Sequence, residues 1–228
     1  MPGDIVTFIV LTAILLSPTI WLNYVFKKHN NILEQMPFTG LELGNSILQE
    51  LGLDHVVIER TSTGDHYDLS QKKVMVQEER LSRKSLTAIS IVCHEIGHAI
   101  QHHEKYKPLE RRTKIVRSTV WLSRLASGII ILGLPVIMAT SSFSLIKICF
   151  GIVVLSIVIG ILVHLLTLDV ELDASFNKAL PIIKKKVPVE YHDACRSVLR
   201  AAALTYVAGV VGNILSLRYF LLLLTRLR

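Results

Sequence analysis

The sequence predicts a mainly α-helical membrane protein with about four transmembrane helices and a small polar α+β unit. The 228 residues are 51% hydrophobic, and their mean hydropathy of +0.49 is above that expected of a soluble domain. Apolar runs long enough to cross a bilayer recur along the chain, separated by polar stretches. The formal net charge is +7, and the Lys and Arg residues cluster beside those runs. This distribution is typical of the cytoplasmic loops of membrane proteins, so no nucleic-acid partner is predicted.

The first apolar run covers residues 5–26 and is expected to be a retained transmembrane anchor. No basic residue precedes it, whereas a cleaved signal peptide starts with a positive region and ends at a small-residue cleavage site. Lys27 and Lys28 follow the run at once, which predicts an outside N-terminus and places the next region inside the cell. Pro18 is expected to kink this helix.

Residues 27–117 are polar and mixed in charge, and they are expected to form the α+β region. Its first predicted helix covers residues 40–51, where apolar side chains recur at helical spacing. Thr39 is the predicted N-cap of this helix, and Gly52 is suited to its C-terminal end.

A pair of strands and a longer helix complete this region. Residues 56–58 and 73–76 are predicted to be strands, with a turn at residues 64–68 between them. A helix is predicted over residues 85–104. An exposed edge of the strand pair is suited to hold an extended polypeptide by strand addition, and plain scaffolding is the alternative.

The rest of the chain alternates between apolar and polar segments. Residues 118–168 predict a transmembrane hairpin with a short polar turn at residues 140–144. The chain then returns to the side of the first polar region, where residues 169–200 are expected to form a helix and a polar segment. Residues 201–224 are the last predicted transmembrane helix.

The sequence His94-Glu95-Ile96-Gly97-His98 lies in the helix predicted over residues 85–104 and has the H-E-x-x-H pattern of zinc hydrolases. Positions i and i+4 share one helix face, so His94 and His98 can bind one metal ion. Glu95 lies beside them, where a carboxylate can take a proton from a water molecule that attacks a carbonyl. Such a short pattern also arises by chance, but apolar residues flank it on both sides, as expected for a buried site.

Two histidines leave a catalytic zinc ion one protein ligand short. A third histidine six residues after the second is excluded because that residue is Glu104. His102 shares the helix face, but a straight helix does not readily bend three ligands around one tetrahedral ion. A carboxylate from a later helix remains, and Glu171 fits best, with Asp169 and Asp173 as alternatives. Asp173 is otherwise placed to orient a ligating histidine.

A longer series of motifs carries a resemblance over nearly the whole chain. These motifs are, in order, Asp65-His66-Tyr67-Asp68, His94-Glu95-Ile96-Gly97-His98-Ala99-Ile100-Gln101-His102, Tyr106-Lys107-Pro108-Leu109, Val170-Glu171-Leu172-Asp173-Ala174-Ser175 and Leu199-Arg200-Ala201-Ala202-Ala203-Leu204-Thr205-Tyr206-Val207. The chain resembles the YugP-like neutral zinc metallopeptidases of bacterial membranes, and more distantly the membrane gluzincins of the HtpX and CAAX prenyl protease type.

The resemblance implies a zinc-dependent peptidase of a bacterial membrane, which is here expected to be a multi-pass protein of the inner membrane with a zincin-like unit. The basic residues after the first apolar run place its active site on the cytoplasmic side. The resemblance also implies that His94 and His98 are zinc ligands and that Glu95 is the catalytic acid/base. Peptide hydrolysis also develops negative charge that a donor should stabilise. Arg200, before the last apolar run, is the candidate donor, and His192 and Tyr191 are rivals.

The predicted function is an integral membrane zinc endopeptidase that acts on polypeptides, including membrane or misfolded proteins. The alternative is a non-catalytic, zinc-containing membrane scaffold or chaperone-like protein that binds polypeptide without cleaving it. Neither the natural substrate nor the oligomeric state follows from the sequence.

Overall fold

The computed structural model describes residues 2–133 and 143–226, which are mostly helical. The helices and strands are, in chain order, α1 (Pro2–Lys28), α2 (Gly40–Glu50), β1 (Val57–Thr61), β2 (His66–Asp68), β3 (Lys73–Gln77), α3 (Glu78–Leu81), α4 (Leu86–His103), α5 (Lys107–Gly128), α6 (Phe143–Leu172), α7 (Leu180–Lys186) and α8 (His192–Arg226). A π-helical turn, Ile129–Gly133, follows α5, and a second one, Asp173–Ala179, joins α6 to α7.

The chain divides into two compact units. One unit contains most of the polar region and has the candidate catalytic residues; it consists of Leu16–Leu109 and Leu168–Thr205. The other contains most of the apolar helices and consists of Met1–Leu15, Glu110–Thr167 and Tyr206–Arg228.

Helix α2 begins at a capping box, as the sequence predicts. The Thr39 hydroxyl accepts a hydrogen bond from the Glu42 backbone N–H at 3.3 Å, and the Glu42 carboxylate accepts one from the Thr39 N–H at 2.7 Å. At the other end, Gly52 has a φ of +64°, a left-handed conformation that suits glycine. Leu43, Ile47 and Leu48 on this helix are buried in the core.

The small sheet has three strands in the order β1-β3-β2. Strand β1 runs parallel to β3, whereas β2 runs antiparallel to β3 and forms the other edge. The prediction of a turn over residues 64–68 is therefore wrong for residues 66–68, which form β2. This strand has only three residues, and Tyr67 alone is buried, so it lacks the apolar alternation by which sequence reveals strands.

Helix α4 confirms the helix predicted over residues 85–104. The Ser85 hydroxyl accepts a hydrogen bond from the Ala88 N–H at 3.2 Å, which caps the N-terminus. The Thr87 hydroxyl donates to the Phe26 carbonyl at 2.8 Å and ties this end to α1. Most of α4 is buried, packed against α2, the sheet and the π-helical turn after α6.

Three helical stretches within the described residues are long and apolar enough to cross a membrane: Lys107–Gly133, Ser144–Lys186 and Val189–Arg218. They include the described parts of the hairpin and the last span that the sequence predicts. Helix α1 contains the predicted anchor over residues 5–26, but most of its first half has no described side chains, so the count of four spans stays a prediction. Residues 140–142 of the predicted turn lie outside the described residues.

In the unit of apolar helices, α6 and α8 approach each other closely at a small residue. A Cβ atom on Gly209 of α8 would lie 2.5 Å from the His164 ring of α6. Glycine therefore permits this close approach, as small residues do at helix contacts in membranes.

Gly97 permits a second close approach, between α4 and the segment that follows α6. A Cβ atom at this position would lie 2.7 Å from the Ala174 carbonyl oxygen, which belongs to the backbone and cannot rotate away. We expect Gly97→Ala to destabilise the protein by about 1–3 kcal/mol, as overpacking of a core does, and to lower its unfolding temperature in detergent. Gly151→Ala is the matched control because a Cβ there meets nothing within 4 Å. Equal stability of the two variants would contradict the contact.

Candidate metal centre

Three buried side chains converge in the unit that contains α4. Nitrogen atoms of His94 and His98 and a carboxylate oxygen of Glu171 all lie within 4.8 Å of one another. The Glu171 Oε2 atom is 3.1 Å from His94 Nε2 and 3.5 Å from His98 Nε2. The three residues are only 6%, 7% and 3% exposed, respectively. Ligands that are far apart in sequence thus meet at one buried point.

The separations between these donor atoms fit a tetrahedral metal ion. Zinc binds imidazole nitrogen and carboxylate oxygen at about 2.0–2.1 Å, so two ligands at the tetrahedral angle are about 3.3 Å apart. The two separations that involve Glu171, 3.1 and 3.5 Å, lie on either side of that value. Two imidazoles and one carboxylate also form a donor set that catalytic zinc sites use.

Hydrogen bonds to the outer ring nitrogens orient both imidazoles. His94 Nδ1 lies 3.0 Å from the Ser175 hydroxyl, and His98 Nδ1 lies 3.0 Å from Gln101 Oε1. The Gln101 amide nitrogen donates to the Val170 carbonyl at 2.9 Å and to Asp173 Oδ2 at 2.8 Å. Oε1 of Gln101 is therefore left to accept the Nδ1 proton of His98. That tautomer leaves the Nε2 lone pair free to bind a metal ion.

The electrostatics of the cluster favour a positive charge between its donor atoms. Burial opposes the charged form of His98, but the hydrogen bond to Glu171 and the charges of Glu171 and Glu95 outweigh burial and raise the pKa of His98 to about 9. A divalent cation would supply the same positive charge while both imidazoles stay neutral. The residues present therefore fit a bound zinc ion.

Glu95 lies next to this cluster and is 6% exposed. Its charge acts on both His98 and Arg80. Within residues 2–133 and 143–226, no hydrogen bond or salt bridge engages the Glu95 carboxylate. Its oxygens are not among the fully buried polar atoms that lack a partner, so they reach open space and are available to a ligand or a reacting water molecule.

The other carboxylates proposed as ligands lie elsewhere. Asp169 is exposed, and the cluster found among the described residues comprises only His94, His98 and Glu171. Asp173 accepts hydrogen bonds from Gln101 and from the Asn177 amide at 2.8 Å each. It therefore supports a ligating histidine as predicted, but through Gln101 rather than directly.

The predicted oxyanion donors Arg200, His192 and Tyr191 form their described contacts with other parts of the chain than the metal cluster. Arg200 is exposed and lines a cavity formed by α8 and the end of α6. His192 Nε2 lies 2.8 Å from the Val187 carbonyl oxygen, and Tyr191 ends a short 3₁₀ turn. None of these three residues has a described contact with His94, His98 or Glu171, so their predicted role stays a prediction.

Tyr67 is a residue near α4 that the sequence analysis did not select as functional. Its hydroxyl lies 2.9 Å from His102 Nδ1, so strand β2 contacts the last turn of α4. Burial, with the charge of Asp68, raises the pKa of Tyr67 to about 12, and the phenol is therefore a neutral hydrogen-bond donor at neutral pH. In the sequence, only its place in the motif Asp65-His66-Tyr67-Asp68 could have indicated a functional role for Tyr67.

Arg80 is a second residue that sequence reasoning missed. It forms an ion pair with Asp65 and lies over the Phe26 ring at 5.5 Å. Asp65 also accepts a hydrogen bond from the Gln77 N–H at 2.8 Å. Arg80 thus joins the β2–β3 hairpin to α1 in the neighbourhood of Glu95.

The cluster and the apolar helices together define a membrane protein with a candidate metallohydrolase centre. Residues 4–225 match the family described as "Putative neutral zinc metallopeptidase", so the chain belongs to that family. It is 33% identical over 224 residues to the "Putative membrane protease YugP" of Bacillus subtilis (strain 168), covering 95% of this chain and 96% of that protein. No solved structure matches the chain.

Membership of this family confirms the resemblance found in the sequence. It also confirms zinc as the cofactor, because the family is one of zinc peptidases and the chain brings three suitable ligands together in a buried cluster. The similarity to a membrane protease agrees with the membrane-length helices of the chain.

Gln101 connects the metal cluster to the ligand helix, and its removal tests that connection. We expect Gln101→Leu to weaken zinc affinity about 10–100-fold, as the loss of a hydrogen bond to a ligating histidine does in other zinc sites. Competition with a chromogenic chelator measures this affinity in the purified protein. Gln49→Leu is the matched control, because Gln49 is exposed on α2. Unchanged affinity in the Gln101 variant would show that His98 needs no such support.

Proposed function

We propose that the protein is an integral membrane zinc endopeptidase that hydrolyses peptide bonds in polypeptides. His94, His98 and Glu171 hold the zinc ion, and Glu95 is the general base. The observation that carries this proposal is the Glu95 carboxylate, which belongs to a largely buried residue, forms no hydrogen bond or salt bridge among the described residues and lies next to three convergent ligands. A zinc site that served only to stabilise the fold would have no need of such a group.

The residues of the site divide the chemistry among them. Bound zinc supplies a Lewis acid that polarises the peptide carbonyl and lowers the pKa of a water molecule. Glu95 accepts the proton of the attacking water and returns it to the leaving amine nitrogen. Gln101 keeps His98 in the tautomer that binds metal, and the Ser175 hydroxyl orients the His94 ring. Burial of the cluster excludes bulk water, which strengthens each of these electrostatic effects.

Strand β2 is the proposed docking edge for an extended substrate. It is an edge strand, antiparallel to β3, and its Tyr67 reaches His102 on the helix that carries the ligands. A polypeptide added to this edge would gain main-chain hydrogen bonds without regard to its side chains. Such binding suits a peptidase that acts on varied membrane or misfolded proteins.

Two groups are proposed donors to the oxyanion. Arg200 remains the candidate from the sequence. The neutral Tyr67 phenol on β2, with its partner His102 on the active-site helix, is the second proposed donor.

Replacement of Glu95 tests catalysis apart from metal binding. We expect Glu95→Gln to keep about one zinc ion per chain, because this residue is not a ligand, and to cleave casein at least about 100-fold more slowly, because general-base assistance is lost. Zinc content and casein cleavage are measured on the same purified sample. Cleavage at the wild-type rate would contradict the proposal. Metal-dependent binding of polypeptide without cleavage in the wild-type protein would support the scaffold alternative.

Replacement of the carboxylates after α6 is the matched comparison. Glu171→Gln should lose both zinc and activity, whereas Asp169→Asn should keep both. If Asp169→Asn instead loses zinc while Glu171→Gln retains it, the ligand set proposed here is wrong.

The site is proposed to face the cytoplasm of a bacterial cell, in the inner membrane. Basic residues in both polar segments of the chain support this orientation: Lys27 and Lys28 end α1, and residues 184–186 are all lysine.

A cysteine introduced at the exposed residue Ser62 tests the orientation. We expect Ser62→Cys, in a chain whose own three cysteines are replaced by alanine, to react with a membrane-impermeant maleimide only after cells are lysed. Reaction in intact spheroplasts would place this region outside and overturn the cytoplasmic assignment. Maleimide labelling of the parent chain without Ser62→Cys provides the background.

A further inference from the structure

A cavity of about 320 Å³ lies in the compact unit that contains the metal cluster, and none of the three cluster residues lines it. Its wall combines two arginines with four apolar side chains: Arg196, Arg200, Leu172, Phe176, Ala203 and Leu204. Its volume is at the lower end of the range of ligand pockets, so it suits a small polar group with an adjoining chain rather than a large ligand.

The two arginines form a paired cationic site. Arg196 and Arg200 are one helical turn apart on α8, so their guanidinium groups share one face. Both are exposed, and no acidic side chain within the described residues forms a salt bridge or hydrogen bond with either of them. Elsewhere in the same unit, cations such as Arg80 and Lys178 have acidic partners. Two adjacent guanidiniums without an anion are suited to a phosphate group, which each can bind through two hydrogen bonds.

The apolar part of the cavity begins one turn beyond the arginines. Ala203 and Leu204 lie three and four residues after Arg200 and therefore on the same side of α8. Leu172 and Phe176 are likewise four residues apart on the opposite wall. A ligand that fills this cavity thus needs an anionic end and an apolar end next to it.

The position of the arginines along α8 identifies the environment of the cavity. Residues 201–217 contain no charged side chain and follow Arg200 directly. On α6, residues 148–168 contain no Asp, Glu, Lys or Arg, and Leu172 lies four residues beyond their end. Both walls therefore come from the point where a membrane-length apolar helix becomes polar, which is the level of lipid phosphates.

We propose that this cavity is a binding site for an anionic phospholipid, with Arg196 and Arg200 holding its phosphate and the apolar wall holding the first part of its acyl chains. The site is independent of the zinc chemistry, because it uses none of the ligands of the metal cluster. For Arg200, phosphate binding is an alternative to the oxyanion role, and only phosphate binding also involves Arg196.

The test uses the full-length protein in a neutral detergent and phosphatidylglycerol with a fluorescent acyl chain, whose binding is followed by anisotropy. Because each basic residue contributes about fivefold to binding of anionic lipid, we expect Arg196→Ala with Arg200→Ala to weaken binding more than tenfold. Unlabelled phosphatidylglycerol should displace the probe, and phosphatidylcholine should need at least tenfold more lipid. Zinc content of each variant shows whether it has folded.

The matched control is Lys184→Ala with Lys185→Ala, which removes the same charge from exposed residues of the same unit outside the cavity. Its affinity should stay within twofold of the wild type. If the two double variants lose lipid affinity equally, the binding depends on surface charge in general, and the proposal is overturned.

Two competitors distinguish other sources of the anionic group. If inorganic phosphate displaces the probe at the same concentration as phosphatidylglycerol, the ligand is a free anion. If a peptide with a free C-terminal carboxylate displaces the probe at a lower concentration than phosphatidylglycerol, the ligand is a polypeptide. Either result overturns the lipid assignment. If the double alanine variant does not fold, Arg196→Lys is the second test. Lysine keeps the positive charge but lacks the planar guanidinium, so we expect lipid binding to weaken about threefold or more. Unchanged lipid binding would contradict the site.

Discussion

The contact between α4 and the backbone that follows α6 is the constraint on which the candidate site depends. At Gly97 the two elements are so close that a side chain would meet the Ala174 carbonyl. Hydrogen bonds from Gln101 to the Val170 carbonyl and from His94 to Ser175 cross the same contact. Ligands 77 residues apart in sequence can meet only because this contact fixes their separation. The free energy that stabilises the helix packing therefore also assembles the metal site.

Charge balance explains why the site should prefer a divalent cation to protons. Glu95 and Glu171 bring two carboxylates into a nearly water-free cluster, which is costly unless positive charge accompanies them. Without metal, the raised pKa of His98 shows that a proton supplies part of that charge. One zinc ion balances both carboxylates and leaves the imidazoles neutral, so metal binding and release of the His98 proton are expected to be coupled.

The sequence predicts local features of this protein well because local chemistry determines them. The Thr39 hydroxyl caps α2 as predicted, and the predicted start of α4 at residue 85 coincides with its capping serine. The spacing of His94 and His98 places both rings on one face. The third ligand was predicted to be a carboxylate, with Glu171 as the best fit, and the structure brings Glu171 to the cluster. Strand β2 was missed because its stability comes from pairing with β3 rather than from its own pattern. The role of Gln101 was missed because its partners, Val170 and Asp173, are 69 and 72 residues away.

The continuity of α6 relates the site to the membrane. The helix runs from Phe143 to Leu172 without interruption, and its uncharged stretch ends at Leu168. At 1.5 Å per residue, Glu171 lies only about 4.5 Å further along the helix axis. On α8, Arg200 directly precedes the next uncharged stretch, so a proposed ligand and a proposed lipid contact both lie where apolar helices become polar.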